Sequence, residues 1–102
     1  MKLTRKPTHP GTILKEDYLL PLKLSITTLS ALLGVSRKTL SKIINNKSSV
    51  SPNMALRLSR AFNTSPNLWL NLQKKYDLWE AENESNSWLS VKPILSDILH
   101  MS

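Results

Sequence analysis

Residues 26–46, ITTLSALLGVSRKTLSKIINN, constrain the fold more than any other part of the chain. Leu29, Leu32 and Leu33 recur at helical spacing, and Val35, Leu40, Ile43 and Ile44 resume the apolar frame after Gly34. A tight turn between two helices needs a positive φ, which glycine adopts at little cost. Ser36 then stands as an N-cap, its hydroxyl placed for a backbone N–H that the next helix leaves unpaired. The spacing predicts two short amphipathic helices, roughly over 27–33 and 37–45, meeting at one sharp corner.

The second of these helices carries its polar residues on faces the core does not need. This is the pattern of a DNA-binding helix-turn-helix, with the second helix as the groove reader. Most helix corners bind no DNA, but here the turn glycine, the apolar frame and an N-capped basic helix coincide in one register. The candidate DNA-reading set is Thr27, Thr28, Ser36, Arg37, Lys38, Thr39, Ser41, Lys42, Asn45 and Lys47. Arg37, Lys38 and Ser41 share a helical face and are placed for base edges, an Arg or Lys suiting guanine O6 and N7. Lys42, Asn45 and Lys47 lie farther along and suit phosphates. Thr27 and Thr28 begin the preceding helix, where hydroxyls and unpaired N–H groups can hold a phosphate. Thr39 suits either a base methyl or a packing position.

Charge supports this reading through its distribution. The 102-residue chain has 14 Lys and Arg against 7 Asp and Glu, a net charge of +7. No acidic residue occurs between Asp17 and Asp77, while Lys23, Arg37, Lys38, Lys42, Lys47, Arg57, Arg60, Lys74 and Lys75 do. A surface basic over that length attracts phosphate and releases its counterions. The same gap argues against a nuclease, because the main domain lacks a carboxylate cluster for Mg²⁺. His9 and His100 lie near opposite ends, His9 suiting the opening turn of the first helix and His100 the surface. No catalytic residue, metal site or cofactor is expected. Cysteine is absent, which excludes disulfides and thiolate zinc sites and fits a cytoplasmic protein. No apolar stretch approaches membrane-spanning length, and no signal-peptide core follows Lys2, Arg5 and Lys6.

The rest of the chain reads as further helices. Residues 1–8 suit a flexible basic arm, either following the DNA backbone or merely solubilising. A first helix should open at Pro10, present Ile13, Leu14, Tyr18 and Leu20 inward, and end before Pro21. Ser51-Pro52 and Ser65-Pro66 repeat one start signal, serine as N-cap and proline at the first helical position. The fourth helix turns Ala55, Leu58, Ala61 and Phe62 inward and leaves Arg57 and Arg60 on a solvated face. The fifth places Trp69, Leu72, Tyr76 and Trp79 on one side, with Leu68, Leu70 and Leu78 widening the apolar surface. After Glu80, Glu82 and Glu84 the run Asn83, Ser85, Asn86, Ser87 reads as a linker. Trp88, Leu89 and Val91 follow, then a short helix opened by Pro93 with Ile94, Leu95, Ile98 and Leu99 on one side. The expected organisation is an arm over 1–8, a DNA-binding domain over 9–82 and an extension over 83–102. Excess apolar helix surface calls for a covering partner. Trp69, Tyr76, Trp79, Trp88, Ile94, Leu95 and Ile98 are the candidate dimer or partner interface.

In this order, HPGTILKEDYLLPL at 9–22, LSALLGVSRKTLSKIINNK at 29–47 and ALRLSRAFNTSPNLWLNLQKKYDL at 55–78 resemble the HigA/VapI-type antitoxins. These are a branch of the Xre/Cro-like helix-turn-helix proteins. The helix-turn-helix alone marks only the wide superfamily. His9-Pro10-Gly11 and the block from Thr64 to Leu78 are specific to the branch. The resemblance implies an all-α, compact five-helix, lambda-repressor-like domain. It also implies a homodimer that represses its own operon at double-stranded operator DNA and neutralises a HigB toxin, a RelE-like mRNA interferase. Two positions depart from the family pattern. Ile26 stands where a glutamine that supports a phosphate or base contact is common, and Ser30 stands where an alanine often lets the two helices pack closely. The main alternative is a stand-alone Xre-family repressor without a toxin. RNA binding is disfavoured because no aromatic residue interleaves with the basic residues of the reading helix.

Overall fold

A computed structural model of the chain describes residues 5–94. Among these residues the fold is all-helical, with five helices and no strand. Helix α1 covers residues 10–22, α2 Ile26–Leu33, α3 Arg37–Ile44, α4 Pro52–Phe62 and α5 Pro66–Glu84. A short 3₁₀ turn, Ser87–Ser90, follows.

Four of the five helix starts use one local device. Ser25, Ser36, Ser51 and Ser65 each have extended backbone, and each hydroxyl accepts a hydrogen bond from the N–H three residues on, at Thr28, Thr39, Met54 and Leu68. Four of the five helix ends are similarly uniform. Lys23, Gly34, Asn46 and Asn63 all adopt the left-handed conformation. The N–H of the following residue reaches back five positions, as in Leu24 to Leu19, Val35 to Ser30, Lys47 to Lys42 and Thr64 to Ser59.

Helix α1 differs from expectation in two ways. It runs through Pro21 to Leu22, because its middle, Leu14–Leu19, is a widened π turn in which the Leu20 N–H bonds the Lys15 carbonyl five residues back. Proline lacks an N–H and crowds the carbonyl of the preceding turn. A wider turn directly before it gives the ring room. The same turn shifts the buried face, so that Leu14 and Leu19 are both buried while Leu20 is 63% exposed. The inward position assigned to Leu20 is thereby corrected to Leu19.

The core joins all five helices through Leu14, Leu19, Leu29, Leu33, Leu40, Ile43, Ile44, Val50, Met54, Ala55, Leu58 and Trp69. Ser30 of α2 is buried, its hydroxyl donating to the Thr27 carbonyl. The small residue therefore fits with its polar group satisfied. Helix α5 continues two residues past the expected boundary at 82. Its final turn contains neither glycine nor proline, and the Asn83 amide donates to the Trp79 carbonyl. Pro93 and Ile94 carry no regular structure, and the final helix expected around Leu95, Ile98 and Leu99 lies outside the described residues, as does His100.

Candidate nucleic-acid interface

Helix α3 is anchored at both ends. At its start, Ser36 Oγ accepts from the Thr39 N–H at 3.0 Å and donates to Thr39 Oγ1 at 2.8 Å. At its end, α1 crosses so closely that a Cβ on Gly11 would collide with the Ile43 carbonyl. Asn46, left-handed at φ 60°, donates its side-chain amide to Thr12 Oγ1 at 3.1 Å. Leu40, Ile43 and Ile44 fix the inner face in the core. That buried inner face defines which residues of the helix point outward.

The outer face presents Arg37, Lys38 and Lys42, all exposed, with Ser41 half-buried between them. Asn45 is exposed, but its amide donates to the Ser41 carbonyl at 2.9 Å and lies 3.2 Å from Ser41 Oγ. Ser36 and Thr39 are bound to each other, so their first role is holding the helix start. Thr27 and Thr28 are exposed at the start of α2, where Thr28 Oγ1 accepts from Ser25 Oγ at 3.0 Å. Ile26, in the position where the family favours glutamine, is half-buried and packs on the core. Lys47 is exposed in the loop after α3.

Two residues that secure this arrangement escaped the sequence reading. Arg57, expected on a solvated face, donates from Nη1 to the Leu33 carbonyl at 2.7 Å and from Nε to Asn53 Oδ1 at 2.8 Å. Gln73 is buried, accepts from the Val50 N–H at 2.8 Å and donates to Asp77 at 2.8 Å. It ties the loop after α3 to α5. The available signal was its place on the apolar face with Trp69 and Tyr76.

His9 fills its expected role in detail. Its Nδ1 accepts from the Gly11 N–H at 2.9 Å, capping α1, and its ring meets Tyr76 edge-on with centroids 4.8 Å apart. Burial lowers its pKa below the ordinary value, against the upward pull of Asp77, the Ser48 backbone and Glu80. His9, Pro10 and Gly11 thus form one unit: a cap, a first helical residue that needs no N–H, and a backbone bare enough to touch α3.

The interface candidates separate. Trp69 is fully buried within its own subunit, its indole N–H donating to Thr64 Oγ1 at 2.8 Å, and so offers no surface to a partner. Its helical face was read correctly, but α1 covers it through Tyr18, 5.5 Å away between ring centroids. Tyr76 and Trp79 are half-buried, and Lys6 Nζ lies 5.3 Å from each ring centroid. Lys6 therefore rests on α5. Trp88 and Ile94 are exposed, while Leu95 and Ile98 lie outside the described residues. Among the described residues no group of three or more His, Cys, Asp or Glu is placed to hold a metal, and no helix is long and apolar enough to cross a membrane.

Comparison with known proteins agrees with this geometry. Residues 15–69 match the helix-turn-helix family model. An uncharacterized HTH-type transcriptional regulator of Haemophilus influenzae is 46% identical over 96 residues, covering 91% of this chain and 90% of the relative. Antitoxin HigA-1 of Vibrio cholerae is 35% identical over 82 residues, covering 80% of this chain and 77% of the relative. The solved structure of antitoxin GraA in complex with its operator superposes with a TM-score of 0.85 at 37% identity, covering 94% of this chain and 99% of that one. The chain belongs to the Xre-like helix-turn-helix family, in the branch of the HigA- and VapI-type antitoxins.

Proposed function

We propose that the chain is a sequence-specific DNA-binding autorepressor and the antitoxin of a HigB-like mRNA interferase, acting as a cytoplasmic homodimer without catalytic activity of its own. The observation that carries the reading is the outer face of α3. Arg37, Lys38 and Lys42 are exposed on a helix held at both ends, in a chain with no acidic residue between Asp17 and Asp77. Such a face suits the major groove, with α3 supplying base contacts and the start of α2 phosphate contacts. The relatives add weight, since GraA was solved with its operator and other relatives are named antitoxins. The apolar surface left on α5 and beyond, including Leu78 and Trp88, suits the dimer or the toxin.

A stand-alone repressor is the second reading, favoured by the regulator name of the Haemophilus influenzae relative. The deciding experiment co-expresses the tagged protein with its native flanking genes and identifies what co-purifies. A stoichiometric small basic protein establishes the antitoxin role. Recovery of the chain alone, with the neighbouring genes expressed, favours the stand-alone repressor. Binding to the chain's own promoter fragment, tested in parallel, is expected under both.

A further inference from the structure

We propose that Arg57 is a positioning residue for DNA reading: from α4 it holds the corner between α2 and α3 and so sets the angle at which α3 meets the groove. This rests on the DNA-binding reading above.

The last four carbonyls of a helix have no partner within it. At the end of α2 the turn itself satisfies two of them, the Gly34 N–H bonding the Ala31 carbonyl and the Val35 N–H the Ser30 carbonyl. The Leu33 carbonyl is taken by Arg57 Nη1 at 2.7 Å, and the Gly34 carbonyl lies 3.5 Å from the same nitrogen. Asn53, one turn earlier on α4, accepts from Nε at 2.8 Å and fixes the guanidinium plane. The cation also sits at the negative end of the α2 dipole. Gly34 completes the fit. Its φ of 71° suits glycine, and a Cβ there would stand 3.0 Å from Arg57 Nη1. The corner is thus held by a planar, two-sided clamp that lysine, with a single point charge, does not reproduce.

The test compares wild type with Arg57→Ala, Arg57→Lys and Asn53→Ala. It measures affinity for the promoter site and for random duplex across a salt series, under conditions where circular dichroism shows each variant folded. Loss of the clamp is expected to lower specific affinity roughly tenfold, with less effect on random duplex, for both Arg57 variants. Asn53→Ala keeps the charge and is expected to lose part of the same specificity. The dependence of affinity on salt should stay as in wild type. Unchanged discrimination between promoter and random duplex in both Arg57 variants would overturn the proposal. So would a uniform loss on all sequences with the salt slope reduced by about 0.9, the signature of a phosphate contact. Arg37→Ala with Lys38→Ala serves as the control: if it too binds normally, the DNA-reading assignment fails rather than the role of Arg57.

Discussion

Gly11 and Ile43 meet backbone to backbone: the second residue of α1 lies against the carbonyl that closes α3. A single methyl group at Gly11 would have to push the two helices apart. Gly11→Ala is therefore expected to destabilise the protein by about 1–3 kcal/mol, the usual penalty of overpacking. Urea denaturation checks this. Because the displaced element is α3, promoter affinity should fall as well, under conditions where the variant remains folded.

His9 makes stability depend on pH. Its capping nitrogen accepts from the Gly11 N–H and is available only while the ring is neutral there. Burial keeps the native pKa below the ordinary 6.5, so the unfolded chain takes up the proton first as pH falls. The contribution is fully present above the unfolded value and is lost as pH falls through 6.5 towards the native value. Asparagine caps helices without titrating. The denaturation midpoint of wild type should drop between about pH 7.5 and 5.5 more steeply than that of His9→Asn. Parallel profiles for the two proteins would remove His9 from this role.

Arg37 and Lys38 are exposed and their side chains are not needed by the core. The double variant Arg37→Ala, Lys38→Ala should leave the circular dichroism and thermal midpoint close to wild type. Its affinity for the promoter site should fall about a hundredfold or more, given the usual value of contacts to base edges. Fluorescence anisotropy at one fixed salt concentration measures this. Normal binding would sink the assignment of α3.

Gln73 answers the buried Val50 N–H from 23 residues away. Gln73→Met fills similar space and leaves that donor unsatisfied, at an expected loss of about 1–3 kcal/mol. Hydrogen exchange at the Val50 amide should accelerate. Gln73→Glu keeps an acceptor but sets a second carboxylate against Asp77, so it should lie between wild type and the methionine variant at neutral pH.

What the sequence made legible was local. The caps at Ser36, Ser51 and Ser65 and the turn at Gly34 each depend on contacts three to five residues apart, so residue type and spacing reveal them. Helical periodicity likewise gave the inward face of α3 and most of those of α2 and α4, but Leu32, placed in the apolar frame, is 68% exposed, and Ala61, expected inward, is exposed at the end of α4. What remained hidden depends on distant partners or altered period. Arg57 looks like any exposed arginine until the Leu33 carbonyl is brought to it from 24 residues away. Trp69 displays a buried face without saying whether its own chain or another covers it. In α1, a five-residue interval replaces the usual spacing, so counting in steps of three and four chose Leu20 over Leu19. For the proposed DNA-facing set, the exposure of Arg37, Lys38 and Lys42 on one helix was readable, but the internal commitments of Ser36, Thr39 and Asn45 were not.

The double anchoring of α3 also decides which molecule must adapt on binding. A segment free at one end can adjust to a groove by ordering, at an entropic penalty taken at the moment of contact. Here Ser36 and Gly11 have already removed that freedom, so complex formation should leave backbone order in α3 nearly unchanged. Any misfit must then be absorbed by the duplex, through local bending or a change in groove width. Recognition would extend to the stiffness of base steps that no side chain touches, and two sites with identical contacted bases should differ in affinity when their intervening steps differ in flexibility.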